Sequence, residues 1–294
     1  MKQNTIIVTG ADSFHFYLVE DFIKSFRAEY QDKFKVAFVM FGPDKIPASI
    51  SERFDIIVRQ DRDYANFDSK PGYYMAYAAI KANLRELVPG FDTYCWVDSD
   101  CWFQTPHSIP RIIENASSFD ICVHPEFDVH YKGYETPTSR TLKIYEINER
   151  DNLDKMPLRL PMINAGVFAM SSSSKIWGLW RSEMKALRKR HKWGENIYFS
   201  DQIPLHKILY TNAVNFQPIR AIDNWQTYAC PPRIDFANGT LTAPTNPFES
   251  IGIIHLAGQT KYEQYRHPLF GHFTLLYRDF KKTFPSKLAE TAIV

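Results

Sequence analysis

Short apolar runs alternate with helically spaced apolar positions along the first half of the chain. A short apolar run bounded by turn residues is typical of a buried strand, whereas apolar residues three and four apart indicate an amphipathic helix. The strands predicted in this way lie at residues 5–9, 35–41, 55–58 and 93–97, and the helices at 17–30 and 73–87. Such alternation predicts βαβ units and an α/β fold with a mostly parallel central sheet flanked by helices.

The second half of the chain continues this pattern less regularly. Apolar runs predict strands at 163–170 and 251–256, and helical spacing predicts helices at 175–189 and 201–210. Residues 218–247 are rich in turn-forming residues, and we expect them to be irregular.

Composition divides the chain into parts. We assign residues 1–260 to one main domain, in which the polar segment 125–160 predicts an insertion that forms a lid or contacts an acceptor. The tail, residues 261–294, carries six Lys or Arg against three Asp or Glu, interleaved with aromatic residues. This composition fits either a peripheral contact with a membrane or a C-terminal amphipathic helix packed on the domain.

Bulk composition excludes several classes of protein. The net charge of +2 and the charged content of 23% exclude a nucleic-acid-binding protein and are typical of a globular one. No run reaches the roughly 18 apolar residues of a membrane span, so we expect a cytoplasmic protein, at most peripheral to the inner face of a membrane. The four cysteines lack the spacing of a zinc site or a disulfide framework, and we expect buried, reduced thiols.

Two aspartates directly follow the strand predicted at 93–97. Asp98 and Asp100 stand at its carboxyl end, which is where open α/β sheets bind ligands. Two carboxylates at this spacing can reach one hard cation through oxygen, and that cation can also bind diphosphate oxygens. The alternative is an acidic turn that caps a helix. The position after a buried strand favours a metal site that offsets charge on a departing diphosphate.

A second cluster follows the strand predicted at 251–256. His255 can supply a nitrogen ligand to the same metal, Gly258 lets backbone approach a diphosphate, and Lys261 gives that diphosphate a point charge. A lone histidine is more often a core or surface residue than a ligand. The spacing to glycine and lysine is what favours a ligand here.

Five short segments of the chain carry a recognisable pattern. They read Ile-Val-Thr-Gly-Ala-Asp, Cys-Trp-Val-Asp-Ser-Asp, Ile-Asn-Ala-Gly-Val, Ser-Asp-Gln and His-x-x-Gly-x-x-Lys. They lie at residues 7–12, 95–100, 163–167, 200–202 and 255–261. In this order they resemble the motifs of the family 8 glycosyltransferases, which include glycogenin and bacterial lipopolysaccharide galactosyl- and glucosyltransferases.

The resemblance implies a GT-A fold with a Rossmann-like sheet, a bound Mn²⁺ or Mg²⁺, and transfer of a hexose from a UDP-sugar to a glycan or glycolipid with retention, as in lipopolysaccharide or capsule biosynthesis. Carried over residue by residue, the implied metal ligands are Asp98, Asp100 and His255. The implied donor-binding residues are Thr9, Ala11, Asp12, Lys70, Ser99, Gly166, Gly258 and Lys261. The implied catalytic residues around the transferring sugar are Gln202, Asp201 and Asn164.

The chain departs from the family pattern at three places. The family has an arginine in the helix before the metal motif, where this chain offers Lys70, which we prefer, or Lys81. Pro204 follows the Asp-Gln pair, and Tyr262 replaces the proline that usually follows the closing lysine. These changes leave the donor sugar and the acceptor open.

Two further segments each allow two interpretations. Residues 124–130 form either a lid or acceptor contact or a solvated loop, and Asp223-Asn224-Trp225 either lines an acceptor cleft or places a tryptophan in the core.

A nucleotidyltransferase of sugar-nucleotide synthesis would need a glycine-rich phosphate loop, which residues 10–12 do not provide. A non-catalytic nucleotide-sugar-binding protein is expected to have a broken metal set, whereas all three implied ligands are present.

Overall fold

Strands and helices alternate through most of the chain. The computed structural model describes residues 4–60, 80–131, 145–146, 153, 156–190, 201–267 and 271–284. Its strands are β1 (Thr5–Asp12), β2 (Lys35–Phe41), β3 (Ile56–Gln60), β4 (Thr93–Val97), β5 (Cys101–Phe103), β6 (Ile121–Pro125), β7 (Ile163–Ser171), β8 (Phe216–Pro218), β9 (Trp225–Gln226), β10 (Arg233–Asp235), β11 (Thr240–Thr242), β12 (Ile253–His255), β13 (Tyr265–His267) and β14 (Gly271–Phe273). Its α-helices are α1 (Phe16–Tyr30), α2 (Ala48–Ser51), α3 (Leu84–Leu87), α4 (Ser108–Ala116), α5 (Ile176–Arg190), α6 (Gln202–Thr211) and α7 (Tyr277–Thr283). Short 3₁₀ helices cover Ser13–His15, Ala221–Asp223 and Gly258–Tyr262.

The central sheet has seven strands in the order β3-β2-β1-β4-β7-β6-β8. β1 pairs in parallel with β2 and β4, β2 with β3, and β6 with β8. β7 runs antiparallel to both of its neighbours, β4 and β6. The prediction of a mostly parallel sheet flanked by helices is therefore confirmed. This topology brings the carboxyl ends of β1 and β4 and the amino end of β7 to one edge of the sheet.

Both faces of the sheet are buried, which is why its strands read as continuous apolar runs. Alternate residues of β1 separate onto the two faces: Ile7 packs with α1 and α4, whereas Ile6 and Val8 pack with α5 and α6. On the first face, Phe22 and Phe26 of α1 meet the ring of Phe103 edge-on. The sheet edge that carries the polar residues is thus held between two packed layers.

Several boundaries differ from those predicted. The helix predicted at 73–87 is interrupted by a turn at 82–83, and its part before residue 80 lies outside the described residues. β5, β6 and α4 were not predicted, and the region 218–247 contains β9, β10 and β11 rather than irregular structure alone. Strands of two or three residues are too short to show a period, so only their pairing partners reveal them.

The C-terminal segment packs on the domain as far as residue 284. Phe280 of α7 is fully buried, Arg278 pairs with Asp21 of α1 at 2.8 Å, and Trp102 donates to the carbonyl of Leu275. This agrees with the packed helix among the two alternatives for the tail. Within the described residues, no helix has both the length and the hydrophobicity that crossing a bilayer requires.

Candidate active site

A cavity of about 820 Å³ opens where the carboxyl ends of β1 and β4 meet the amino end of β7. Most of the residues predicted for the site line this cavity, although the sequence scatters them over the whole chain. Those brought together are Ala11, Asp12, Asp98, Ser99, Asp100, Asn164, Asp201, Gln202, His255, Gly258 and Lys261. Parallel pairing of β1 with β4 places Asp12, the last residue of β1, and Asp98, the residue after β4, at the same edge of the sheet.

Asp100 and His255 meet through the small sheet formed by β5, β12 and β9. β5 pairs antiparallel with β12, with His255 opposite Cys101. This register places His255 Nε2 3.3 Å from Asp100 Oδ1, and both side chains are largely buried. Asp100 Oδ1 has no hydrogen-bond partner among the described residues.

An unpartnered buried carboxylate oxygen facing an imidazole nitrogen fits a divalent cation, because burial without a partner is costly. Asp100, Cys101 and His255 offer ligand atoms that all lie within 4.8 Å of one another. Oxygen and nitrogen are ligands that suit Mn²⁺, whereas a protonated thiol is not a ligand. Burial and the neighbouring carboxylates raise the pKa of Cys101 well above its usual value, so Asp100 and His255 are the fitting pair.

Lys261 neutralises the second oxygen of Asp100. Its ammonium lies 2.8 Å from Asp100 Oδ2. Burial disfavours the ionised form of Asp100, but the ion pair with Lys261, together with the facing His255 imidazole, outweighs burial and holds the pKa of Asp100 well below its usual range. Lys261 follows Gly258, whose φ of +67° is readily adopted by glycine. This glycine begins the 3₁₀ helix that carries the lysine over the cavity.

A second group of charged side chains, called here the Lys81 centre, consists of Lys81, Asp98 and Asp201. The Lys81 ammonium lies 2.9 Å from an oxygen of each aspartate and donates to the carbonyl of Ala165. Burial opposes the charge of Lys81, but the ion pairs with Asp201 and Asp98 outweigh it and raise its pKa. Asp98 also accepts a hydrogen bond from the indole of Trp96 at 2.6 Å.

Lys81, the less preferred of the two candidates for the family's arginine, thus bridges two carboxylates that line the cavity. Lys70 itself lies outside the described residues. Lys81 belongs to a stretch predicted to be helical, and nothing in the sequence marks it as buried. Only the fold shows that it bridges two carboxylates.

Asp12 lines the cavity at the carboxyl end of β1. Its carboxylate pairs with His15 Nδ1 at 2.6 Å. Burial opposes ionisation of Asp12, but the hydrogen bond and charge of His15 lower its pKa. His15 lines the cavity and was missed in the sequence, although a residue three positions along a tight turn is a natural partner for an aspartate.

Gln202 and Asn164 supply neutral polar groups. Asp201 caps α6 by accepting from the backbone N–H of Gln202 at 3.0 Å, so Gln202 stands at the helix start. Gln202 Oε1 is buried without a hydrogen-bond partner among the described residues. Asn164 Oδ1 accepts from the backbone N–H of Gly166 at 2.9 Å.

Thr9 and Gly166 lie behind the cavity wall rather than on its surface. Thr9 is fully buried within β1. Gly166 lies under the imidazole of His255: a Cβ added at this position would come within 2.3 Å of His255 Cε1. Only glycine leaves room for the ring, so Gly166 acts on the site through His255.

The structure describes both segments for which the sequence left alternatives open. His124 is a fully buried residue of β6 rather than part of a loop, whereas Glu126 lines the cavity. His130 pairs with Asp128 at 2.5 Å. Trp225 is fully buried in the core formed around the small sheet, which agrees with the core alternative for that residue. All four cysteines are buried and free, as expected.

Comparison with known proteins identifies the fold. No family profile matches the sequence, and no curated protein matches it. Among solved structures, the galactosyltransferase LgtC in complex with donor and acceptor sugar analogs matches with a TM-score of 0.58 and 13% identity, over 95% of this chain and 94% of that chain. The chain has a GT-A fold.

Two other structures support the same assignment. An active-site glutamine-to-glutamate mutant of LgtC matches with a TM-score of 0.53 and 13% identity, over 86% of this chain and 87% of that chain. The bifunctional glycosyltransferase WbbM, in its apo form, matches with a TM-score of 0.56 and 11% identity, over 97% of this chain and 50% of that chain. The predicted GT-A architecture is thus confirmed.

Proposed function

We propose that this protein is a metal-dependent glycosyltransferase of the family 8 type that moves a hexose from a UDP-sugar to a hydroxyl group of a glycan or glycolipid, with retention of anomeric configuration. The observation that carries the proposal is the unpartnered oxygen of Asp100 facing His255 inside the cavity that Lys261 also lines. Such a grouping suits a cation shared with a diphosphate. The similarity of the fold to that of glycosyltransferases supports this reading.

The proposed metal ligands are Asp100 and His255, with Asp98 completing the set. Lys261 is already held over Asp100, and we propose that it turns to the diphosphate when a donor binds. Ala11 and Asp12 line the cavity at the carboxyl end of β1, and we propose that they contact the nucleoside. Ser99 and Gly258 also line the cavity, and we propose that backbone approaches the phosphates there.

The transferring sugar is proposed to lie against Gln202, Asn164 and Asp201. The buried, unpartnered Gln202 Oε1 is suited to stabilise positive charge that develops at the anomeric carbon. Asp201, fixed by Lys81 and by the start of α6, is suited to accept hydrogen bonds from sugar hydroxyls. Burial of these groups means that they need little reorganisation during the reaction.

The proposed reaction breaks the bond between the anomeric carbon and the phosphate oxygen, and the electron pair leaves with the diphosphate. The acceptor oxygen bonds to the anomeric carbon on the same face, and its proton passes to a phosphate oxygen. A bound divalent cation supplies positive charge to the departing diphosphate. Lys261 adds a second positive charge at the same end of the cavity.

The test is release of UDP from a panel of UDP-sugars, with Mn²⁺ and with EDTA, in the wild type and in Asp100→Ala. We expect slow Mn²⁺-dependent hydrolysis of one donor, which identifies the sugar without an acceptor, and loss of this release in the variant. Lys24→Met, which changes an exposed ion pair of α1, serves as the matched surface control and should keep wild-type release.

No release, together with no calorimetric binding of any UDP-sugar, would overturn the UDP assignment. Binding without release in the presence of Mn²⁺ and acceptor glycans would favour a non-catalytic nucleotide-sugar-binding protein instead.

A further inference from the structure

His255 is hydrogen-bonded to the buried side chain of Asn224, which is hydrogen-bonded to the buried side chain of Asn164. The backbone N–H of Gly166 determines which atom of each amide donates and which accepts. The backbone N–H of Gly166 can only donate, so the atom it meets at 2.9 Å must be the oxygen of Asn164. The same oxygen meets the Asn224 side chain at 3.1 Å, and Asn224 must therefore present its NH₂ group there. This leaves the Asn224 oxygen to face His255 Nδ1 at 2.9 Å.

Because the Asn224 oxygen can only accept, Nδ1 of His255 must carry the proton. In the neutral ring, Nε2 is then a lone pair, and it is Nε2 that lies 3.3 Å from the unpartnered oxygen of Asp100. A histidine that binds a metal through one nitrogen usually donates from the other to a neighbouring acceptor, which fixes both tautomer and ring orientation. The arrangement has the polarity that a metal ligand requires.

The relay, which is the series of hydrogen bonds from Gly166 through Asn164 and Asn224 to His255, is held in place by packing and by further hydrogen bonds. Asn224 is fully buried, and its backbone carbonyl accepts from Tyr131 at 3.4 Å. The adjacent Asp223, which is also buried, pairs with Arg111 at 2.5 Å and so anchors the turn. Gly166 leaves no space for a side chain beneath the imidazole ring. Because packing already fixes the position of the His255 imidazole, a change at Asn224 is expected to alter the His255 tautomer more than the position of the ring.

We propose that Asn224 is a positioning residue, which sets the His255 tautomer and so directs Nε2 toward Asp100 and the metal. The inference rests on the metal site of the proposed function, and it assigns Asn164 a part in the relay besides any contact with sugar. Asn224 does not line the cavity, so it acts through His255 rather than on substrate.

The variant that tests this is Asn224→Leu, which keeps the size of the side chain but removes the acceptor. The matched control is Gln226→Leu, the same kind of change two residues further along the chain, at a fully buried amide whose nitrogen and oxygen have no hydrogen-bond partner among the described residues. Asn224→Asp retains an acceptor for Nδ1–H and serves as the rescue.

Two readouts are needed. Calorimetry with MnCl₂ on the nucleotide-free protein should show an affinity about 10- to 100-fold weaker in Asn224→Leu, within about twofold of wild type in Gln226→Leu, and largely recovered in Asn224→Asp. Nitrogen NMR of the metal-free protein at pH 8, assigned with His255→Gln, should show the Nδ1–H tautomer in the wild type and in Asn224→Asp, and its loss in Asn224→Leu.

The NMR result separates the two proposals. If the wild type binds no Mn²⁺, the metal-dependent function fails, and the tautomer measurement alone decides the role of Asn224. If Mn²⁺ binds equally to the wild type and a folded Asn224→Leu, or if His255 carries its proton on Nε2 in the wild type, the positioning role is overturned. If Asn224→Leu does not fold, the wild-type tautomer and the Mn²⁺ affinity of Asn224→Asp decide the proposal.

Discussion

Asp98 and Asp100 stand two residues apart in one motif, yet the fold treats them differently. Asp98 is held by Lys81 and by the indole of Trp96, both within 2.9 Å. Asp100 has one oxygen held by Lys261 and another that faces His255 at 3.3 Å and has no hydrogen bond to the part of the chain that the structure describes. The first carboxylate is neutralised by a buried lysine, and the second keeps an open position.

The two aspartates of the motif therefore lie in different electrostatic environments. The Lys81 centre joins the end of β4 to the start of α6, because Asp98 directly follows β4 and Asp201 caps α6. The Asp100 centre, which consists of Asp100, His255 and Lys261, joins the start of β5 to β12 and presents ligand atoms to the cavity. One centre thus fixes the geometry of the site, and the other is suited to bind a cation.

The largest expected effect comes from removing the buried cation. Lys81→Met leaves Asp98 and Asp201 buried without their shared lysine, and we expect a loss of about 3–5 kcal/mol in the free energy of unfolding. Urea denaturation measures it. Lys24→Met breaks an exposed pair with Glu20 and should cost less than about 1 kcal/mol. A Lys81→Met protein as stable as the control would show that the Lys81 centre is not structural.

The next effect concerns metal affinity. Asp100→Asn should weaken Mn²⁺ binding by on the order of 100-fold or more, because it removes the ligand that faces His255. Asp98→Asn should weaken it by about tenfold or less without nucleotide, since Lys81 already holds that carboxylate. Calorimetry on the nucleotide-free variants makes the comparison, and equal losses would show that the two aspartates are equivalent.

The contrast between Asp98 and Asp100 depends on the free-energy cost of burying a charge without a partner. Two buried histidines, His124 and His206, allow this cost to be measured. Burial lowers the pKa of His124 and of His206 to about 4. Because the folded-state pKa lies below the unfolded value near 6.5, their stabilising contribution is complete above pH 6.5 and is lost as the pH falls toward 4. We expect a loss of about 2 kcal/mol per histidine between pH 7 and pH 5.

Urea denaturation at pH 7 and pH 5 measures this loss. His124→Gln should lose about 2 kcal/mol less than the wild type between the two pH values. His272→Gln, at an exposed position, should lose as much as the wild type. A wild type equally stable at both pH values would contradict such a cost.

The smallest expected effect distinguishes the two roles of Lys261. Lys261→Met should strengthen Mn²⁺ binding about fivefold in the nucleotide-free protein, because the lysine no longer competes for Asp100. The same variant should weaken Mn²⁺ binding about fivefold in the presence of UDP, because the diphosphate loses a cation. Calorimetry with and without UDP tests this reversal, and a change of the same sign in both conditions would assign Lys261 a single role.

Much of the fold could be predicted from local pattern. β2 and β4 have the predicted bounds, and β1, β7, α1, α5 and α6 differ from prediction by a few residues at their ends. These elements are long or continuously apolar, so their period is visible in the sequence. β5 and β9 could not be predicted, because strands of two or three residues exist only through their pairing with β12.

For the candidate site, the sequence determined the identities of Asp98, Asp100, His255 and Lys261, since each follows a readable strand end or a short motif. The tertiary structure decided what each one does. The register of β5 against β12 set Asp100 facing His255, and burial turned Lys81 into the partner of Asp98. The direction of the Asn224 amide, and with it the His255 tautomer, depends on contacts between residues far apart in the chain. The spacing of residues in the sequence determines where strands and turns form. Ion pairing and the position of a proton depend instead on distances between residues that are far apart in the chain, and only the tertiary structure sets those distances.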